Sequence, residues 1–238
     1  MISVKADLHI HTFLSPCGDI EMTPRHIVEA ALGKGVQMIA ITDHNSTLQA
    51  PVIQELGAGL GLEVICGAEI TTKEEVHCLA LVETPGQRQE LQSFLDTYLP
   101  HIENNPEKFG YQFWIDTNEQ VLGEAPWLLI SALDRTIEQV EAFVHSIGGI
   151  FIPAHINKMR DSVISQLGFL PPDLKVDALE LSRHITPQAF ITSNPYLKDY
   201  FFIRSSDAHF IQDVGSVFTE FQMETIDFHG LRNAFTRQ

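Results

Sequence analysis

The sequence predicts an α/β fold in which strands alternate with helices around a parallel sheet. Short apolar or β-branched runs recur along the chain, and segments with helical patterning separate them. The 238 residues are 44% hydrophobic and 19% charged, so the chain can bury one sizeable core. Alternation of this kind is typical of βα units, and the composition excludes a disordered or fibrous chain.

Seven segments have the pattern of strands. Each is short, rich in apolar or β-branched residues and followed by polar or turn-forming residues. They are residues 4–10, 37–42, 63–66, 76–82, 149–153, 176–181 and 201–205.

Two helices have clear start and stop signals. Thr23 can cap, and Pro24 can begin, a helix that Gly33 and Gly35 close. Thr136 opens a second helix, whose apolar residues recur at helical spacing up to a double glycine. These positions place helices between predicted strands.

One region interrupts the alternation, at about residues 84–135. It contains a helix-like stretch over 87–104 and then a predicted hairpin that turns near 116–119. We interpret it as an insertion within a single domain spanning residues 1–238, because no internal repeat or linker is present. The aromatic residues of the hairpin form either its core or a lid that stacks on a ring of the substrate: Phe109, Tyr111, Phe113 and Trp114.

The net charge and the number of cysteines limit the partners and the cellular compartment that we expect for the protein. Lys and Arg total 15 against 31 Asp and Glu, a formal charge of −16, so we expect no long nucleic acid and no membrane as partners. Three cysteines are too few for a disulfide framework, and neither a signal peptide nor an apolar span is evident. We therefore expect a cytoplasmic protein; the sequence leaves its oligomeric state open.

Six of the eleven histidines lie at or near predicted strand ends, with carboxylates beside them. In a parallel barrel the carboxyl ends of all strands open on one face, so these side chains are expected to converge. A single histidine at a strand end is most often only hydrogen-bonded. A whole set of buried polar groups would be costly without a ligand to satisfy it, which favours a metal centre. The set comprises His9, His11, His44, Glu69, His77, His155, Asp207 and His209.

The motifs DLHIHT, ITDHN, GAEI, HCLAL, PAH and SDAH, in this order, resemble those of the polymerase and histidinol phosphatase (PHP) superfamily of metal-dependent phosphoesterases. The resemblance runs from Asp7 to His209. It implies a distorted seven-stranded (β/α)7 TIM-like barrel. It also implies two or three divalent metal ions, zinc, manganese or iron, at the carboxyl end of the strands.

The resemblance implies a ligand set for each ion. His44 and His209 would hold a third ion together with either Asp19, which we favour as a hard ligand, or Cys17, which could bind zinc as a thiolate. Asp43 is expected to hydrogen-bond a ligand rather than to bind metal. The first ion would take His9, His11, Glu69 and Asp207, and the second would take Glu69, His77 and His155.

Such a cluster predicts a phosphatase-like ester hydrolase, in which a metal-bound hydroxide attacks a small phosphomonoester without a protein nucleophile. Lys158 and Arg183 are candidate donors to the substrate phosphate. His184 is a candidate proton donor to the leaving alcohol. The metal ions could make the pocket locally positive within an acidic protein.

Three alternatives remain at this point. The chain could be a nucleotide phosphodiesterase or exonuclease, although its acidity argues against long substrates. It could be an amidohydrolase, which also begins with HxH, although those barrels typically have eight strands. It could be a metal-stabilised binding module without activity, which turnover would distinguish.

Overall fold

A computed structural model describes residues 1–236. The strands are β1 (Ile2–Ile10), β2 (Met38–Ile41), β3 (Glu63–Thr71), β4 (His77–Val82), β5 (Phe113–Ile115), β6 (Val121–Glu124), β7 (Ile150–Pro153), β8 (Leu179–Leu181), β9 (Phe202–Arg204) and β10 (Thr219–Met223). The helices are α1 (Pro24–Gly33), α2 (Ala50–Ala58), α3 (Pro85–Tyr98), α4 (Pro106–Phe109), α5 (Ile137–Ser146), α6 (Val163–Leu167), α7 (Pro187–Ser193) and α8 (Phe228–Phe235).

The central element is a mixed six-stranded sheet in the order β10-β1-β2-β3-β4-β7. Strands β8 and β9 form a separate parallel pair, and β5 and β6 form an antiparallel hairpin. All seven predicted strands are present, and the hairpin turns at residues 116–120 as predicted. The α/β class is confirmed, but a closed (β/α)7 barrel is not.

Strand β4 explains part of this difference. It runs antiparallel to both β3 and β7, whereas the prediction assumed parallel strands. The connection from β3 is only residues 72–76, closed by a hydrogen bond from Thr72 N to Val76 O of 2.9 Å. A parallel connection needs about a dozen residues or more, so this short turn reverses the chain. His77 therefore reaches the site from the amino end of its strand.

Strand β10 was not predicted. It pairs antiparallel with β1 from Ile2↔Met223 to Ala6↔Thr219 and covers the edge of the sheet. Its sequence, TEFQM, alternates polar and apolar residues over only five positions, which is a weak signal. The pairing joins segments more than 200 residues apart, and no local pattern reports such a contact.

Both faces of the sheet are buried. On β2, Ile39 and Ile41 belong to one hydrophobic cluster, whereas Met38 and Ala40 belong to another on the opposite face. This period of two is the geometry of a strand with apolar neighbours on each side. Within residues 1–236, none of the helices is both long and apolar enough to span a bilayer.

The predicted starts and ends of the helices agree with the structure to different degrees. Thr136 forms a capping box with Gln139, as expected from its position before α5. Thr23 precedes α1, but its side chain makes no capping hydrogen bond, so Pro24 alone marks that start. Helix α3 ends at Tyr98, six residues before the predicted end, and Pro100 follows it.

A histidine on α5 gives a pH-dependent stability. His145 contacts Asp177 Oδ2 at 3.0 Å and Glu141 Oε1 at 2.5 Å, and hydrogen bonds first to Asp177 and then to Glu141 raise its pKa above 6.5. A raised folded-state pKa stabilises the protein below pH 6.5, and this contribution is lost as pH rises through the folded value. Urea unfolding should show the advantage of the wild type over His145→Gln shrinking between pH 6 and pH 9. An advantage that grows with pH would contradict this.

Candidate metal centre

The predicted ligands converge from the ends of separate strands. His9 lies on β1, Glu69 lies on β3, and His77 begins β4. His155 and Asp207 follow β7 and β9, and both have left-handed backbone, with φ of 30° and 53°. A β-carbon makes this conformation costly, and such strain is concentrated at functional sites.

Glu69 is the centre of the cluster. Its side chain is 1% exposed, and ring nitrogens of five histidines surround its two oxygens. The distances to the oxygens are 3.3 Å from His9 Nε2, 3.2 Å from His11 Nε2, 3.2 Å from His44 Nδ1, 2.9 Å from His77 Nδ1 and 3.1 Å from His155 Nε2. One carboxylate with five imidazoles is an N/O donor set suited to divalent metals.

The protonation of the cluster also suits a metal. Burial, aided by nearby His209, lowers the pKa of His11 to about 4, and burial lowers the pKa of His44. Both rings are therefore neutral near pH 7, which is the form that binds metal. The Nδ1 atom of His44 faces Glu69 Oε2 without making a hydrogen bond. A cation between such facing lone pairs would satisfy both.

Three sets of ligand atoms each lie within 4.8 Å of one another. The first set, His9, His11 and Glu69, contains three of the four residues expected for the first ion. The second set contains Glu69 and His77, as expected for the second ion, but His44 in place of His155. The third contains Cys17, whereas Asp19 belongs to no set among the described residues. The sets are His9, His11 and Glu69; His44, Glu69 and His77; and His11, Cys17, His44 and His209.

Asp207 lies beside the cluster and contacts a lysine. Its Oδ1 is 3.5 Å from His9 Nε2, and its Oδ2 is 2.5 Å from Lys158 Nζ. Against the effect of burial, His9 and Lys158 lower the pKa of Asp207, so its carboxyl group is ionised. Lys158, predicted to bind phosphate, thus lies at the cluster, with its side chain 40% exposed.

Two other predicted residues lie apart from the cluster. The guanidinium of Arg183 forms an ion pair with Asp213, with Nη1 2.9 Å from Oδ1. His184 is exposed and contacts none of the cluster residues in the described part of the chain. Both follow the short strand β8, Leu179–Leu181.

Three further side chains hold the ligands in place. The carboxylate of Asp43 accepts hydrogen bonds from Thr12 N, Thr12 Oγ1 and Ser15 Oγ, so it reaches the ligand His11 through Ser15 and not by the direct hydrogen bond that we expected. Ser15 Oγ is also 3.1 Å from His11 Nδ1. Glu180 Oε2 is 3.0 Å from His9 Nδ1 and accepts a hydrogen bond from His155 N.

Glu180 and Ser15 were not predicted from the sequence as part of the site. A signal for Glu180 was available, because it is the one charged residue of β8, between two buried leucines. A buried carboxylate in such a strand requires a partner. Ser15 lies in a loop, where no periodicity marks it.

We expect Glu180→Gln to weaken metal binding by roughly 10- to 100-fold, because a partner of a metal-binding histidine sets its orientation and basicity. Titration calorimetry with Zn²⁺ or Mn²⁺ measures this. Glu141→Gln is the matched control, since Glu141 contacts His145 away from the cluster. Equal metal affinity in Glu180→Gln and wild type would contradict the role of Glu180.

Beside the cluster, a cavity of about 340 Å³ opens to solvent. Its walls include Cys17, His44 and His77, so a ligand in the cavity contacts the cluster directly. A volume of this size is within the usual range of small-ligand sites.

Several proteins of known structure or activity resemble this chain. The phosphoribosyl 1,2-cyclic phosphate 1,2-diphosphodiesterase of Eggerthella lenta is 34% identical over 80 residues, which are 32% of this chain and 29% of that protein. The 5'-3' exoribonuclease Rnm of Salmonella typhimurium is 40% identical over 78 residues, 32% of this chain and 26% of that protein. The chain thus spans less than two thirds of these relatives' length.

Among solved structures, the lesion-specific endonuclease PfuEndoQ of Pyrococcus furiosus has the same fold. Its TM-score is 0.74 at 21% identity, covering 98% of this chain and 56% of that one. At this level of identity, the match establishes the fold alone.

The expectation that long nucleic acids are excluded as partners is wrong. It depended on the net charge of −16, whereas a relative of this chain is an exoribonuclease and the fold is shared with an endonuclease. Net charge averages over the whole surface, whereas recognition of a phosphate depends on the potential within one pocket.

Family models agree with the geometry of the centre. A model described as PHP-associated matches residues 200–238, which include Asp207 and His209. The model described as PHP domain matches residues 7–154, more than half of the chain, and includes Glu69 and four of the histidines around it. The ligand cluster and this match lead to the same conclusion, that the chain belongs to the PHP family.

Proposed function

We propose that this protein is a metal-dependent phosphodiesterase that acts on a nucleotide or nucleic acid. The observation that carries the proposal is the buried carboxylate of Glu69 with five imidazoles around it. Divalent ions held there supply Lewis acidity at a phosphoryl group and acidify water. The substrate bond is a P–O ester bond, because the relatives with named activities act on phosphodiesters or RNA.

We assign the ligands by combining the sets of neighbouring ligand atoms with the ligand set that the family resemblance implies. His9, His11, Glu69 and Asp207 would hold the first ion, and Glu69, His77 and His155 would hold the second. His44 and His209 would hold a third ion together with Cys17, whose Sγ lies within 4.8 Å of their ligand atoms.

The protein's own groups orient these ligands and bind the substrate. Glu180 holds the His9 ring at Nδ1, leaving Nε2 directed at Glu69. Lys158 is the cationic side chain at the cluster and is a candidate donor to a phosphate oxygen. Arg183, engaged by Asp213, is left out of this role.

Hydrolysis of defined substrates tests the proposal. The full chain is stripped with EDTA, reconstituted separately with Mn²⁺ and Zn²⁺, and given a dinucleotide, a cyclic phosphate, a short RNA and a panel of phosphomonoesters. We expect metal-dependent cleavage of at least one diester and its loss in Asp207→Asn. Cleavage of monoesters alone, or of no ester, would overturn the proposal.

Cobalt spectroscopy distinguishes the two candidate ligands of the third ion. A thiolate bound to Co²⁺ gives a sulfur-to-metal charge-transfer band in the near ultraviolet, which a carboxylate does not. We expect this band in the wild type and in Asp19→Asn, and its loss in Cys17→Ser. The band persisting in Cys17→Ser would show that Cys17 is not the ligand.

A further inference from the structure

We propose that a groove beside the ligand cluster is a nucleobase subsite, which binds the base next to the scissile phosphate. The groove has a volume of about 420 Å³ and lies between the loop after β1 and the segment 108–113. This inference rests on the proposed phosphodiesterase function and names where that substrate binds.

A stacked aromatic pair forms one wall of the groove. The rings of Tyr111 and Phe113 are stacked, with centroids 5.0 Å apart and planes at 7°. Tyr111 is 60% exposed, which is unusual for so large a ring. A planar base can stack on such a ring whatever its identity, because every base has a π face.

The wall is held rigidly. Gln112, which lies between Tyr111 and Phe113 in the sequence, is fully buried, and its Nε2 donates hydrogen bonds to Ala125 O and Trp127 O. Its Oε1 accepts a hydrogen bond from Leu129 N. Gln112 is buried, whereas its sequence neighbours Tyr111 and Phe113 line the groove, so the platform exists before a ligand arrives.

The charge of the groove suits a nucleotide. No Asp or Glu lines it, although the chain carries 31 of them, and Lys108 does line it. Lys108 makes no ion pair with any residue of the described chain, so its ammonium is available to a phosphate. A second aromatic cavity, containing Trp114 and Trp127, is lined by Asp96 and Glu124 and would repel a phosphate.

The groove and the metal centre are both lined by the loop after β1. Ser15 lines it and also contacts His11 Nδ1 at 3.1 Å. The same loop carries Cys17, which lines the cavity at the cluster. A nucleotide whose phosphate lies at the cluster can therefore extend its base along this loop towards Tyr111.

Fluorescence of 2-aminopurine tests the subsite, because stacking quenches it. A dinucleotide containing 2-aminopurine is titrated with the full chain in EDTA, so that binding is measured without turnover. We expect quenching by the wild type, about 10-fold weaker binding by Tyr111→Ala, and nearly unchanged binding by Tyr111→Phe. Lys108→Gln should weaken binding and reduce its salt dependence.

Leu122→Ala is the matched control, since Leu122 is 58% exposed on the same hairpin but does not line the groove. No quenching by the wild type, or equal binding by Tyr111→Ala and wild type, would overturn the subsite. A dimer that Tyr111→Ala dissociates, without quenching, would instead identify a contact between copies and would also overturn it.

A separate experiment tests the proposed phosphodiesterase activity independently of the subsite. Cleavage of an abasic dinucleotide by the Mn²⁺-loaded wild type reports on the metal centre alone and should be equal in Leu122→Ala. If that cleavage is absent while quenching persists, the subsite stands and the phosphodiesterase activity does not.

Discussion

Replacing Glu69 with glutamine is expected to lower metal-dependent hydrolysis by roughly 1,000-fold, because bound metal ions contribute several kcal/mol to the transition state. The substitution keeps the shape of the side chain but removes the charge that five histidines surround. Metal addition should then no longer raise the melting temperature. Initial rates and thermal unfolding, each with and without Mn²⁺, measure the two effects.

Glu63→Gln is the matched control for this experiment. Glu63 begins the same strand, β3, at the end remote from the cluster, and its side chain is partly exposed. It should behave as the wild type in both assays. Metal-dependent stabilisation that survives in Glu69→Gln would show that Glu69 is not a metal ligand.

Gly18→Ala is expected to destabilise the protein by about 3 kcal/mol, at the upper end of the usual cost of overpacking. A β-carbon at this position would lie 2.1 Å from the carbonyl oxygen of Thr12. Thr12 cannot move freely, since its N and Oγ1 both donate to Asp43 and its O accepts from Ser15 N. A shift would displace Ser15, and with it the ring of His11, so hydrolysis should fall as well.

Gly33→Ala provides the comparison. No atom lies within 4 Å of a β-carbon built there, and Gly33 is the last residue of α1, so alanine should be neutral or stabilising by up to about 1 kcal/mol. Urea unfolding of both variants measures the difference. Equal stabilities of Gly18→Ala and Gly33→Ala would contradict the tight packing of the loop after β1.

The sequence predicts the strands well because apolar runs bounded by turn residues are local signals. It also anticipates the convergence of His9, Glu69 and Asp207, because each follows or lies within such a run. The direction of β4 depends on how few residues connect it to β3, so a reading that assumes βα units misplaces it. The pairing of β10 with β1 depends on a contact between distant segments and has no local signal.

The choice between neighbouring candidate ligands, and between candidate phosphate donors, could not be made from the sequence for a different reason. Cys17 and Asp19 are two residues apart in one loop, and only the path of that loop brings Cys17 towards His44 and His209. Lys158 and Arg183 both follow strands, yet one contacts Asp207 and the other Asp213. The carboxylate with which a long side chain pairs depends on the tertiary structure, and the position of the residue in the sequence does not predict it.

The edge pairing of β10 with β1 has a consequence for synthesis of the protein. During translation, β1 is made before β10 and has no antiparallel neighbour until residues 219–223 emerge. The buried carboxylate of Asp7 likewise waits for Ser206 and Gly215, whose groups hydrogen-bond to it. Contacts of such long range form slowly. The nascent chain therefore exposes this edge of the sheet until β10 has been made.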